Sequence, residues 1–60
     1  MKLIEIVGVS KESYSQAVRS AIEALSREGN TVHFFSVEQQ RGAYHNEVLE
    51  FQVILKVAVT

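Results

Sequence analysis

Glu47-Val48-Leu49-Glu50-Phe51-Gln52-Val53-Ile54-Leu55-Lys56-Val57-Ala58-Val59 alternates almost without fault. Leu49, Phe51, Val53, Leu55, Val57 and Val59 point to one side, and Glu50, Gln52, Ile54, Lys56 and Ala58 to the other. Strands have a side-chain period of two, so the stretch reads as a long β-strand with one buried face. The second face is not simply solvated. Ile54 and Ala58 stand there beside Gln52, and a neighbouring strand adds Phe34. Apolar groups mixed with a few amides and charges mark a surface that meets a ligand or a second subunit.

Upstream, a second strand opens near Thr31. His33, Phe35 and Val37 share one of its faces, and Phe34, Ser36 and Glu38 the other. The pattern weakens through Gln39, Gln40 and Arg41, Gly42 is the place for a bulge, and residues Ala43 to Asn46 read as the turn into the last strand. So short a connection makes the two strands an antiparallel hairpin.

Before the hairpin, Tyr14, Ala17, Val18, Ala21, Ile22 and Leu25 recur at helical spacing, which predicts a helix from about Tyr14 to Glu28. Ser13 is the N-cap, with Gln16 at the third helical position to complete a capping box. Arg19, Glu23 and Arg27 lie on the opposite side and can pair at i,i+4. Gly29 and Asn30 suit a left-handed cap. Lys2 to Val9 is a strand rich in Ile and Val, apolar on both faces apart from Glu5, with Gly8 permitting a close approach or a bend. The order is β-α-β-β, an α+β chain. Its simplest packing is a three-stranded antiparallel sheet wrapped around one helix, the helix covering Phe35, Val37, Phe51, Val53 and Leu55.

Sixty residues, 1–60, make one domain. A chain this small buries only about 60% of the surface it exposes when unfolded, so its stability is marginal, and disulfides, a metal or self-association are the usual remedies. There is no cysteine, and two histidines, His33 and His45, are too few for an ordinary structural zinc site. Self-association is left. Six basic and seven acidic residues are well mixed and give a net charge of −1, so there is no basic patch for nucleic acid and no polybasic membrane anchor. No apolar run is long enough to span a bilayer, and the N-terminal stretch lacks the pattern of a signal peptide. A cytoplasmic protein is the expectation.

The residues do not compose a catalytic site. No nucleophile has a base at a recognisable spacing, and the serines cluster around the helix, where capping explains them. Glu38 and Glu50 read as a solvated pair that approaches across the hairpin rather than as a cation site. His45-Asn46-Glu47 is turn chemistry, and His33 reads as a packed, hydrogen-bonded histidine facing the helix. Gly8 is isolated, so there is no phosphate-cradling loop. The expectation is neither an enzyme nor a metal protein.

The binding candidates are Phe34, Gln52 and Arg41. With the turn centred near residue 44 or 45, Phe34 lies opposite a residue between Ile54 and Lys56, and Gln52 is its near or diagonal neighbour. An aromatic plane beside a primary amide suits a flat heterocycle: the ring stacks, and the amide offers a donor and an acceptor to the heterocycle edge. Arg41 suits a phosphate or carboxylate. Each has a plainer reading as well. Phe34 is an oligomer contact, Gln52 a solvated amide, Arg41 a surface charge beside a turn.

Glu5-Ile6-Val7-Gly8-Val9-Ser10, Phe34-Phe35-Ser36-Val37, Arg41-Gly42 and Phe51-Gln52-Val53-Ile54-Leu55-Lys56-Val57, in this order and spacing, resemble the dodecins, small flavin-binding proteins. The resemblance covers nearly the whole chain. It implies the β-α-β-β unit, assembly of twelve subunits into a hollow sphere, and a bound flavin, riboflavin or FMN. It also implies roles. The family stacks a tryptophan from strand two on the flavin, and Phe34 stands at that position. A strand-three glutamine bonds the flavin edge, matching Gln52, and in some members an arginine matching Arg41 takes part. Phenylalanine offers less stacking area than tryptophan, no indole N–H and poorer electron donation. The function implied is sequestration of a flavin in a homo-oligomeric shell, without chemistry. The rival is a structural shell that has lost flavin binding or takes another small ligand, with Phe34 used only in subunit packing.

Overall fold

The computed structural model describes residues 1–60. Strand β1 (Lys2–Ser10) leads into helix α1 (Tyr14–Arg27), followed by β2 (Val32–His45) and β3 (Val48–Val59). The three strands form one antiparallel sheet in the order β1-β3-β2. This is the β-α-β-β unit that the hydrophobic patterns predict.

The alternating stretch is the middle strand. β3 is paired on both sides, so Ala58 is flanked by Leu3 of β1 and Phe34 of β2, while Gln52 is flanked by Val9 and Arg41. On the opposite face Val53, Leu55, Val57 and Val59 are fully buried beneath the helix. Ala17, Ala21 and Leu25 supply the facing helical stripe, with Ile4 and Ile6 of β1 packed against it.

The helix begins where its chemistry allows. Ser13 is extended, at φ −169° and ψ 165°, and its Oγ accepts a hydrogen bond of 3.0 Å from the Gln16 backbone N–H. Tyr14, in the first turn, sets its ring edge-on to Phe51, with centroids 5.0 Å apart and planes at 73°. The helix ends at Arg27, one residue before the predicted end, and Gly29 then takes φ +94° while the Asn30 side chain donates to the Leu25 carbonyl. Gly8 is the point of closest approach. A Cβ there would run into the Ala17 carbonyl oxygen and come within 3.0 Å of the Ala21 Cβ.

Four expectations are corrected. The helix does not cover Phe35 and Val37, which remain 44% and 41% exposed. A three-residue link from β1 sets α1 down over β1 and its neighbour β3, and β2 lies beyond the helix as an edge strand. The turn is not Ala43 to Asn46. β2 runs on to His45, which pairs with Val48, and only Asn46 and Glu47 turn, at φ 50° and 65°. Two positive φ angles in a two-residue loop match the twist of the strands as a type I′ hairpin. Finally, Gly42 is regularly paired with Phe51, and the irregularities lie at His33, between Val32 and Phe34, and at Glu38, between Val37 and Gln39. As a bulge residue, His33 is exposed rather than packed, and its Nε2 hydrogen-bonds the Thr60 hydroxyl.

Nine residues are buried, while ten large apolar side chains stay exposed, Phe34, Tyr44 and Leu49 among them. The fold is a thin plate of 40 × 21 × 13 Å with apolar surface on both sides of its hairpin.

Candidate functional site

The helix-free face of the sheet carries all three sequence-predicted binding residues. Their common placement depends on the Glu38 bulge. Phe34 and Arg41 are seven positions apart, an odd number that would send them to opposite faces of a regular strand. The extra residue at Glu38 reverses the alternation, so Phe34 opposite Ala58 and Arg41 opposite Gln52 open on one side.

Sharing a face is not proximity. Phe34 pairs with Ala58 and Arg41 with Gln52, six positions away on β3. At the strand rise of 3.2–3.4 Å per residue that is about 20 Å. Phe34 and Gln52 are therefore not near or diagonal neighbours within one chain. The cause is the turn. Moving its centre from residue 44 or 45 to between Asn46 and Glu47 slides the partner of Phe34 from the Ile54–Lys56 region to Ala58. The same shift separates Glu38 from Glu50. Glu50 now lies opposite Ala43, and Glu38 accepts instead from the Ser36 hydroxyl at 2.7 Å.

The two ends of the face differ in chemistry. At the Phe34 end, Leu3 and Phe34 flank the fully buried Ala58, and Phe34 is 56% exposed. The result is an apolar strip with an open aromatic ring. At the other end is a polar relay. Arg41 Nε donates to Gln52 Oε1 at 2.6 Å, and Gln52 Nε2 donates to Glu50 Oε1 at 2.7 Å. Gln52 and Glu50 are half-buried and Arg41 is exposed. The carboxamide keeps one N–H and one oxygen lone pair for a ligand, since each of its ends has a second hydrogen-bonding position.

Glu50 is the partner of Gln52 that sequence reasoning missed. Its signal was available: it stands two residues before Gln52, and side chains at that spacing share a face. None of the chain's three cavities is lined by Phe34, Arg41 or Gln52. The candidate site is an open surface. No three histidine or carboxylate groups meet to hold a metal ion. No helix is long and apolar enough to cross a membrane.

The sequence matches the family model described as Dodecin over residues 1–60. The chain belongs to the dodecin family. Solved dodecin structures agree. The dodecin from Streptomyces coelicolor is 35% identical, with a TM-score of 0.85 over 93% of this chain and 81% of that one. A Thermus thermophilus dodecin in which a tryptophan is replaced by phenylalanine is 32% identical, with a TM-score of 0.85 over 93% and 85%. A calcium-chelating dodecin from Mycobacterium tuberculosis, described with a calcium-binding site, is 24% identical with a TM-score of 0.86 over 93% and 81%, and shares the fold. No curated protein sequence matches the chain. The dodecin fold thus holds without a tryptophan anywhere in the chain.

Proposed function

We propose that this dodecin binds and sequesters a flavin, riboflavin or FMN, without catalysing a reaction, in a shell of twelve copies. The observation that carries the reading is the common face: an open aromatic ring at Phe34 and a carboxamide at Gln52, braced by Arg41, lie on the same helix-free side of the sheet. Phe34 stacks on the isoalloxazine, and Gln52 meets its polar pyrimidine edge. The free N–H groups of Arg41 face the ligand's negative charge or a subunit junction.

The distance of about 20 Å along the strand adds a condition. That gap exceeds the length of an isoalloxazine, so the ring comes from one copy and the amide from another. Self-association is supported by the ten exposed apolar side chains and by the small core, nine buried residues, which leaves a chain of this length marginal by itself. Enclosure between copies would dry the stacking surface and strengthen the polar contacts.

The experiment is size-exclusion chromatography with absorbance at flavin wavelengths, followed by riboflavin fluorescence titration. A dodecamer that quenches riboflavin at micromolar subunit concentration is expected. Gln52→Ala is expected to weaken binding about tenfold and leave the elution volume unchanged. A dodecamer that leaves riboflavin fluorescence untouched would establish the rival, a shell in which the Leu3–Ala58–Phe34 strip serves only subunit packing.

A further inference from the structure

Gln52 is held between opposite charges. Its oxygen accepts from the Arg41 Nε–H across the β2/β3 ladder at 2.6 Å, and its nitrogen donates an N–H hydrogen bond to the Glu50 carboxylate at 2.7 Å, from the same face of the same strand. A primary amide can turn over by half a rotation and exchange its oxygen and nitrogen. Here the exchange is blocked. Turned over, the NH2 group would face a guanidinium that only donates, and the oxygen a carboxylate that only accepts. Both contacts as they stand are charge-assisted, the stronger class of hydrogen bond. Glu50 is the firmer of the two holds, because it is half-buried while Arg41 is exposed.

We infer that Glu50 is a positioning residue that fixes the polarity of the Gln52 carboxamide and thereby selects a ligand edge on which a carbonyl stands next to an N–H. The remaining N–H of Gln52 asks for an acceptor, and its remaining lone pair asks for a donor. Their order along the sheet is set by which end faces Glu50. The ligand class is a cyclic imide or ureide edge, which the flavin pyrimidine ring possesses, so the inference rests on the flavin reading for its ligand but not for the orientation itself. Glu50 touches the site only through Gln52. It is half-buried and also lines a cavity of about 280 Å³ with Lys11, His45 and Asn46.

Two measurements separate orientation from ligand. In protein labelled with 15N at glutamine side chains, the Gln52 NH2 pair is identified by its loss in Gln52→Ala. One of its protons is expected downfield of the free glutamine position, and Glu50→Gln, which keeps size and removes charge, is expected to return it. In riboflavin titrations Glu50→Gln is expected to weaken binding about fivefold and to narrow the preference for riboflavin over its N3-methyl derivative. The same change made in Gln52→Ala should then have no effect. A Gln52 resonance unmoved by Glu50→Gln overturns the inference, as does an equal loss of affinity in the Gln52→Ala background. If the resonance moves and no variant binds riboflavin, Glu50 positions the amide and the flavin reading is the part that falls.

Discussion

Phe34 and Gln52 open on the same side of the sheet, yet their places on β3 are six positions apart, because Phe34 pairs with Ala58 and Gln52 pairs with Arg41. A ligand that touches both must draw them from different copies. This has a consequence for mixed assemblies. Phe34→Ala and Gln52→Ala are each expected to weaken every site in a pure oligomer. Unfolded together in equal amounts and refolded, they reconstitute sites that take Phe34 from one copy and Gln52 from another. Random mixing restores about a quarter of the sites when two different protomers supply the two residues. Stoichiometric riboflavin titration counts them. A mixed assembly with no high-affinity sites would return both residues to a single chain.

Phe34→Trp enlarges the stacking surface at a position that is already open. An aromatic contact is worth about 1 kcal/mol beyond its buried area, so riboflavin is expected to bind about fivefold more tightly. The indole is also the better electron donor, and bound riboflavin should be quenched more completely than in the parent protein. Titration at matched subunit concentration measures both. Unchanged affinity together with unchanged residual fluorescence would mean that the ligand does not lie on residue 34.

The fold was largely legible in the sequence because its signals are periodic. Period two from Leu49 to Val59 gives the central strand, and period 3.6 from Tyr14 to Leu25 gives the helix with its Ser13 cap. What escaped was register. The turn lies at Asn46-Glu47, where a glutamate adopts φ 65°, a conformation that side chains rarely take and that composition does not announce. The His33 and Glu38 bulges have no glycine to mark them. Each shifts pairing by one residue without disturbing the apolar pattern enough to be read. Phe34 and Gln52 were therefore legible as residues of one face, while the side taken by Arg41, which depends on the Glu38 bulge, and the distances were not. The helix coverage failed for a related reason: alternation identifies strands but not their order, and β3 rather than β2 is the neighbour of β1.

Gly8 and Gly29 are both glycines for physical reasons, but different ones. At Gly29 a side chain would meet nothing within 4 Å, and its φ of +94° is the obstacle. At Gly8 the obstacle is the Ala17 carbonyl oxygen and the Ala21 Cβ at 3.0 Å. Gly8→Ala must therefore lift α1 away from β1 and is expected to cost about 2 kcal/mol, as overpacking does. Gly29→Ala costs about 1 kcal/mol of backbone strain. Urea unfolding at one fixed subunit concentration should order the midpoints parent, Gly29→Ala, Gly8→Ala. If Gly8→Ala unfolds with the parent protein, the helix and strand do not touch there.

The Asn46-Glu47 turn is where the chain holds strain that can be removed. Asparagine tolerates the left-handed region because its short side chain bonds locally, but glutamate at φ 65° has no such compensation. Glu47→Gly completes the Asn-Gly pair that type I′ hairpins favour. The strain relieved is about 1 kcal/mol, part of which returns as the greater freedom of glycine in the unfolded chain. The net effect is a small gain, with a higher urea midpoint. Flavin affinity should not change, since Glu47 stands outside the paired strands that carry Phe34, Arg41 and Gln52. The opposite substitution tests the same geometry. Glu47→Val puts a β-branched side chain at a positive φ and is expected to lower the midpoint well below the parent. If glycine and valine at this position give equal midpoints, the backbone there is not left-handed, and the register that separates Phe34 from Gln52 loses its anchor.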